Sequence, residues 1–178
     1  MLELLFLIRG LYPPRGAHRC RIQYYDEEYF FTLFLTSCRQ YYIMSKKGLL
    51  LVGHGSRLQY NKELITTTAR MMAEKTDEYL IKSCFMENSV PTVPEGLDAM
   101  RAEDLDLLVV VPLFLAKGIH VLRDIPGLLG LESGSSRGVF RLADGKEIPV
   151  IYAEPIGIDP LLAELMLKNA EKAISTHL

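Results

Sequence analysis

The sequence predicts an α/β fold, a single domain in which a four-stranded parallel sheet is flanked by helices. From Gly48 onward, short apolar runs alternate with segments of helical period. Each apolar run is continuous, which is typical of parallel strands that are covered on both faces. Strand–helix alternation implies right-handed crossovers and therefore one parallel sheet.

Four apolar runs carry the strand signal. They cover residues 49–52, 79–86, 106–111 and 148–153. The third run, Asp-Leu-Leu-Val-Val-Val, is the clearest of the four. If the strands follow the common order 2-1-3-4, the first and third strands are neighbours and flank the point where ligands bind in such sheets.

The segments between the strands predict helices and one loop. Helices are predicted for residues 59–75, 94–103, 121–129 and 160–175. Pro94 suits the first turn of its helix, Pro126 interrupts the third helix, and Asp159 is a plausible N-cap of the last. Residues 131–147 contain five glycine or serine residues between positions 133 and 138, which predicts a mobile loop.

Composition bounds the class of protein. A chain of 178 residues with 49% hydrophobic and 24% charged residues is typical of one globular domain. The net charge of −2 gives no reason to expect nucleic acid or an anionic membrane as a partner. No apolar run reaches the ~18 residues that a membrane span requires. Three widely spaced cysteines form neither a disulfide framework nor a CxxC site, so a cytoplasmic location is expected.

The first 43 residues differ from the rest. They contain no lysine, whereas residues 44–178 contain nine, and they hold ten of the sixteen phenylalanine and tyrosine residues. We interpret residues 1–43 as an extension upstream of the working domain, with Met44 as an alternative start. The other interpretation is an aromatic-rich hairpin that packs on the domain. The working domain is expected to be residues 44–178.

Two of the four histidines follow predicted strands. His54 lies in Gly-His-Gly-Ser directly after the first strand, and His120 follows the third. Because the carboxyl ends of parallel strands share one edge of a sheet, the two imidazoles should face one another. Glu87 follows the second strand and joins this edge. Two imidazoles and a carboxylate suit late first-row divalent metals, although a histidine after a strand is often an ordinary loop residue.

Other motifs are weaker. The nucleotide-binding patterns GxxxxGK[ST] and GxGxxG are absent, whereas Ser56 beside His54 would permit a hydrolase. The stretch 117–146 is locally basic. Such a stretch is often solvated surface, but this one flanks the expected site. His18 and His177 are given no role.

From Met44 onward the chain resembles the small archaeal class II chelatases, the sirohydrochlorin cobaltochelatase and nickelochelatase group. Three motifs in the same order carry the resemblance. They are Leu-Leu-Leu-Val-Gly-His-Gly-Ser-Arg at 49–57, Cys-Phe-Met-Glu-Asn at 84–88 with Pro-Glu-Gly-Leu at 94–97, and Val-Pro-Leu-Phe-Leu-Ala-Lys-Gly-Ile-His at 111–120 leading into Asp-Ile-Pro at 124–126. Residues 1–43 lie outside it.

The resemblance implies an ATP-independent, homodimeric enzyme that inserts Co²⁺ or Ni²⁺ into sirohydrochlorin for cobalamin or coenzyme F430 synthesis. It implies that His54 and His120 bind the metal substrate and that Glu87 is the nearby acid, with no permanently bound cofactor. The substrate is a polycarboxylate, so the candidate clamps are polar or cationic: Ser56, Arg57, Lys117, Arg123, Arg137 and Arg141. The alternatives are a sirohaem ferrochelatase, a nonenzymatic nickel or cobalt binding protein, and a hydrolase.

Overall fold

The computed structural model describes residues 46–177. The expected extension, residues 1–43, lies outside the described residues, so its interpretation stays a prediction. Within the described part no helix is long and apolar enough to cross a membrane.

The sheet has five strands, which are β1 (Lys47–Gly53), β2 (Tyr79–Phe85), β3 (Leu107–Pro112), β4 (Arg137–Arg141) and β5 (Glu147–Tyr152). Their order in the sheet is β2-β1-β3-β5-β4. Four of them are parallel and correspond to the four predicted strands, and their predicted order is confirmed.

Strand β4 corrects the prediction of a mobile loop over residues 131–147. It pairs with β5 in an antiparallel hairpin, which needs only a short turn between its strands. Its residues alternate in burial, with Phe140 buried between exposed Val139 and exposed Arg141, and this period of two is a strand signal. The glycine and serine residues that favoured a loop lie mostly before the strand. The parallel sheet therefore gains one antiparallel edge strand.

The described part of the chain contains four α-helices. They are α1 (Gln59–Lys75), α2 (Val93–Arg101), α3 (Ile125–Leu128) and α4 (Pro160–His177). Helix α2 begins with a reciprocal capping box, in which Thr92 accepts from the Glu95 amide and the Glu95 carboxylate accepts from the Thr92 amide. The predicted third helix is replaced by a π-helical turn, His120–Asp124, that runs into α3. Pro126 has no N–H for the regular helical ladder, which favours this wider turn.

The core lies on both faces of the sheet. One face, with Leu50, Val52, Leu108, Val110 and Val150 fully buried, packs against α2 and α3. On the opposite face Leu49, Leu51 and Phe85 pack against Ile65 and Ala69 of α1. Continuous apolar strands bury both faces in this way, which is why β1 contains no polar side chain between Gly48 and Gly53.

Candidate metal centre

The carboxyl ends of β2, β1 and β3 bring three ligand-bearing side chains together. His54 directly follows β1, and Glu87 lies two residues after β2. His120 opens the π-helical turn that follows β3. Because β1 lies between β2 and β3, all three residues emerge at one edge of the sheet. This is the juxtaposition that the sequence predicted.

The three side chains form a compact donor cluster. One ligand atom from each of His54, Glu87 and His120 lies within 4.8 Å of the other two. The two imidazole rings meet edge to face, with centroids 5.0 Å apart and planes at 80°. Two metal–nitrogen bonds of about 2.0–2.1 Å place their ligand atoms roughly 3–4 Å apart, so donors at the full separation would have to draw closer to share one ion. The side chains of His54 and Glu87 are each 48% exposed, so the cluster is open to solvent and to a second ligand.

Backbone contacts fix His54 and Glu87 relative to one another. The Glu87 amide donates to the His54 carbonyl at 3.0 Å, which extends the β1–β2 pairing past the strands. Gly55 has φ +89°, and a Cβ at this position would lie 1.7 Å from the Glu87 carbonyl oxygen. Only glycine fits this close approach. Gly55, the second glycine of Gly-His-Gly, thus allows the loop that contains His54 to pack closely against the loop that contains Glu87.

Asp124 is a candidate site residue that the sequence analysis did not assign. Its Oδ2 lies 2.9 Å from His120 Nδ1, and its Oδ1 accepts from Arg123 Nε at 3.0 Å. Hydrogen bonds first from Arg123 and then from His120 hold the pKa of Asp124 below its ordinary value, so the group is an anion. A proton on Nδ1 that donates to this anion leaves the Nε2 lone pair free for a metal. The spacing of four residues between His120 and Asp124 was the available signal.

One aromatic ring lies beside the cluster, and three exposed apolar side chains lie close to it in the sequence. The Phe114 ring lies 5.9 Å from the His54 ring and 6.4 Å from the His120 ring, centroid to centroid. Leu115, Ile119 and Leu122 are each more than half exposed nearby in the chain. Exposed apolar residues grouped in this way are typical of a ligand surface.

Four of the six candidate substrate-binding residues line hollows next to the cluster. Lys117 and Arg123 line a cleft of about 390 Å³ beside the His120 turn, where Lys117 pairs with Glu154 at 2.7 Å. Ser56 and Arg57 line a second hollow of about 290 Å³ beside the Glu87 loop.

The two remaining candidates lie on β4. Arg137 is opposite Ile151, towards the carboxyl end of β5. Arg141 is opposite Glu147 at the other end of the sheet, and its Nη2 bonds the Glu147 carboxylate at 2.6 Å. The structure therefore does not bring Arg141 to the histidine cluster.

Sequence comparison finds one family over nearly the whole described domain. The model of the family CbiX matches residues 48–173. A protein named sirohydrochlorin cobaltochelatase from Methanosarcina acetivorans is 40% identical over 129 residues, which are 72% of this chain and 98% of that protein. A protein of the same name from Methanococcoides burtonii is 44% identical over 128 residues, covering 71% of this chain and 97% of that one.

Solved structures show the same fold at lower identity. A putative cobalamin biosynthesis CbiX protein from Marinobacter aquaeolei aligns with a TM-score of 0.54 and 24% identity, covering 73% of this chain and 98% of that one. The sirohydrochlorin chelatase SirB from Bacillus subtilis, in complex with cobalt, aligns with a TM-score of 0.55 and 24% identity over 71% of this chain and 50% of that one.

Proposed function

We propose a function on one premise: the chain belongs to the CbiX family. It is a metal chelatase that acts on sirohydrochlorin, and Co²⁺ is the ion that it inserts. The observation that carries this proposal is the donor cluster of His54, Glu87 and His120, whose ligand atoms lie within 4.8 Å of one another at an open sheet edge. Two relatives named sirohydrochlorin cobaltochelatase, at 40% and 44% identity, support sirohydrochlorin as the substrate and Co²⁺ as the metal.

Insertion exchanges one divalent ion for the two inner N–H protons of the macrocycle. The protein must therefore hold the ion with ligands that it can release, and it must accept protons. Neutral imidazoles serve both needs near neutral pH. We assign metal delivery to His54 and His120 and proton transfer toward solvent to Glu87, whose Oε1 lies 3.4 Å from His54 Nδ1. The two departing protons balance the two charges of the entering ion.

The surroundings of the cluster suit a flat, carboxylate-rich macrocycle. The exposed apolar side chains of Leu115, Ile119 and Leu122 would contact the flat macrocycle. The Phe114 ring lies beside both histidine rings. Lys117 and Arg123 in the adjacent cleft would bind peripheral carboxylates. In this proposal Lys117 exchanges its contact with Glu154 for one with the substrate.

Nickel is proposed as a second substrate of the same site. Two imidazoles and a carboxylate discriminate poorly between Co²⁺ and Ni²⁺, which are adjacent in the affinity series. Insertion of Ni²⁺ would lead toward coenzyme F430, and insertion of Fe²⁺ toward sirohaem is the competing activity. The reaction is proposed to need no ATP, because the sequence lacks a nucleotide-binding loop.

The enzyme is proposed to act as a cytoplasmic homodimer. One copy leaves the donor cluster open on its solvent side, so a second copy would enclose the macrocycle. The SirB chain is about twice the length that this domain matches, which is consistent with two domain equivalents at such a site.

Anaerobic absorbance spectroscopy tests the proposal. Sirohydrochlorin is mixed with Co²⁺, Ni²⁺ or Fe²⁺, with and without catalytic amounts of protein. We expect multiple turnovers and the fastest insertion with Co²⁺. A protein that binds the metal but accelerates no insertion is a metal-binding protein, and fastest insertion with Fe²⁺ would make it a ferrochelatase. Either result overturns the proposal.

A further inference from the structure

The π-helical turn His120–Asp124 leaves the Val121 carbonyl without the donor that a helical ladder would supply. In a π-helix each carbonyl accepts from the amide five residues later, as the His120 carbonyl does from the Ile125 amide. For the Val121 carbonyl that residue is Pro126, which has no N–H. Val121 is buried, at 4% exposure. Its carbonyl therefore needs a donor from outside the helix, because an unpaired buried backbone group is costly.

Tyr152 supplies this donor from the sheet. Its hydroxyl donates to the Val121 carbonyl at 3.0 Å. Tyr152 ends β5, where it lies opposite Val110 of β3, and its amide donates to the Ser136 carbonyl at 2.8 Å. Its side chain packs against the core on the side of α2 and α3. The sheet therefore fixes the position of the donor independently of the turn.

The Tyr152 hydroxyl keeps its proton throughout the neutral range of pH. Burial first, and the negative charge of Glu154 second, raise the pKa of Tyr152 to about 12. A tyrosine hydroxyl has one hydrogen to donate, and the Val121 carbonyl accepts it. Tyr152 is therefore suited to hold the turn in place rather than to exchange protons with a substrate.

The contact made by Tyr152 is next to the metal-binding side chain of the turn. Val121 directly follows His120, and Asp124, whose Oδ2 lies 2.9 Å from His120 Nδ1, ends the same turn. A displacement of the turn would move both groups relative to His54, whose ring centroid is 5.0 Å from that of His120. Residues that orient metal ligands affect metal affinity even though they do not touch the ion.

We propose that Tyr152 is a positioning residue of the metal centre, whose hydroxyl acts through the Val121 carbonyl to fix the turn that presents His120. The proposal rests on the proposed chelatase function and adds a residue to the same site. Because Tyr152 acts through the turn, it affects the affinity for the ion and the insertion step, and it leaves the binding of the macrocycle unchanged.

Tyr152→Phe in the full-length protein tests the proposal, because it removes the hydroxyl and keeps the ring. Calorimetry should show Co²⁺ binding about 10-fold weaker than in the wild type. The visible absorption of bound Co²⁺ should change, because it reports the geometry of the ligands. In the insertion assay, kcat should fall while the KM for sirohydrochlorin stays the same, since no contact with the macrocycle is lost.

A second substitution restores a donor at another place. When Tyr152→Phe is combined with Pro126→Ala, residue 126 has an amide that can donate to the Val121 carbonyl, so part of the Co²⁺ affinity should return. Tyr79→Phe is the matched control, because Tyr79 begins β2 at the opposite end of that strand from Glu87. It should leave Co²⁺ affinity and absorption unchanged. Urea denaturation of every variant separates a loss of stability from a loss of affinity.

Three results would overturn the assignment of Tyr152. Unchanged Co²⁺ affinity and absorption in Tyr152→Phe would mean that the hydroxyl does not position His120, even if stability falls. A raised KM with unchanged Co²⁺ affinity would make Tyr152 a substrate contact in the cleft that it shares with Lys117. No recovery on adding Pro126→Ala would mean that the effect does not pass through the Val121 carbonyl.

The wild type distinguishes failure of this assignment from failure of the proposed function. Wild-type protein that binds and inserts Co²⁺ leaves the chelatase function standing, whatever the Tyr152 variants show. Wild-type protein that does neither contradicts that function itself.

Discussion

His54 and His120 present their imidazoles to the cluster by different means. His54 Nδ1 lies 3.1 Å from the Gly55 carbonyl oxygen and close to Glu87, whereas His120 Nδ1 lies against Asp124. In each case an acceptor lies beside Nδ1, so a proton on Nδ1 would be bound there and Nε2 would be the atom left for the metal. The two residues were predictable from their positions after strands, but their orientations depend on neighbours that the topology brings together.

The histidines give the first prediction. His54→Ala and His120→Ala should each lower the insertion rate by at least about 100-fold, because each removes a metal ligand and a proton acceptor. The double variant should be hardly worse than either single variant, since residues that act as a unit are non-additive. Stopped-flow absorbance measures insertion and calorimetry measures Co²⁺ binding. His177→Ala, at the end of α4, is the control, and near wild-type rates in both single variants would place the metal site elsewhere.

Asp124 gives the second prediction. Asp124→Ala should weaken Co²⁺ binding about 10–100-fold while the fold stays intact, because the carboxylate fixes the His120 tautomer. Asp124→Glu should recover part of the affinity if its carboxylate reaches Nδ1. The visible absorption of bound Co²⁺ reports the change in ligand geometry. Asp98→Ala on α2 is the matched control, and unchanged Co²⁺ affinity in Asp124→Ala would reduce Asp124 to a surface residue.

The third prediction separates Lys117 from Arg141. Lys117→Ala should raise the KM for sirohydrochlorin about 10-fold with little change in kcat, because a carboxylate contact is lost equally in the ground and transition states. Arg141→Ala should leave KM unchanged, since Arg141 pairs with Glu147 at the far end of the sheet. Steady-state kinetics at saturating Co²⁺ measures both. A raised KM in Arg141→Ala would contradict the placement of the substrate.

At the scale of secondary structure, predictability followed the strength of the local pattern. The four parallel strands were predicted because a strand buried on both faces is a continuous apolar run. Strand β4 was missed because the alternation around Phe140 is short and stands beside a cluster of glycine and serine. The π-helical turn was predicted only as an interruption near Pro126. A single sequence does not indicate whether such a helix kinks or widens.

The starts of β1 and β3 are joined by Asp106, which gives the fourth prediction. Asp106 Oδ2 accepts from the Lys46 amide at 2.9 Å and Oδ1 accepts from Lys146 Nζ at 2.7 Å. Lys146 first and the Lys46 amide second hold the pKa of Asp106 below its ordinary value of 3.8. The stability that follows from a lowered pKa is present above the unfolded value and is lost as pH falls through the folded one.

Asp106→Asn should therefore lower the urea midpoint at pH 7, and the difference from wild type should shrink as pH falls below about 4. Urea denaturation followed by circular dichroism at several pH values measures this. Asp77→Asn is the control, because Asp77 shows no such contacts among the described hydrogen bonds. A difference that stays constant down to pH 2 would mean that the Asp106 charge is not what stabilises the sheet.

At the scale of the whole molecule, the fold class and the position of the candidate site were predictable, whereas the exposure of helix α4 was not. The α/β pattern predicted that the metal-binding side chains lie at the carboxyl ends of the parallel strands. The commonest topology of such sheets predicted that β1 and β3 are neighbours. The exposure of the apolar side chains of α4 could not be predicted from sequence, because the helical period does not indicate what covers a helix.

The fifth prediction concerns residues 1–43, which lie outside the described structure. A chain that begins at Met44 should fold and keep full insertion activity, because the family match covers residues 48–173 and none of the proposed site residues precedes it. Thermal unfolding and the insertion assay compare it with the full chain. An insoluble or inactive product would show that the aromatic-rich segment packs on the domain.

A metal ion bound by the cluster would also affect the stability of the fold. Its donors come from the ends of three different strands, so an unfolded chain cannot offer them together. By mass action, any ion that binds only the native state stabilises that state by RT ln(1 + [L]/Kd). A chelatase must give its ion away, so its dissociation constant has to stay near the concentration of free metal. At that concentration the bound ion adds less than about 1 kcal/mol to the free energy of unfolding. The metal-free protein that remains after each turnover is therefore nearly as stable as the metal-bound protein.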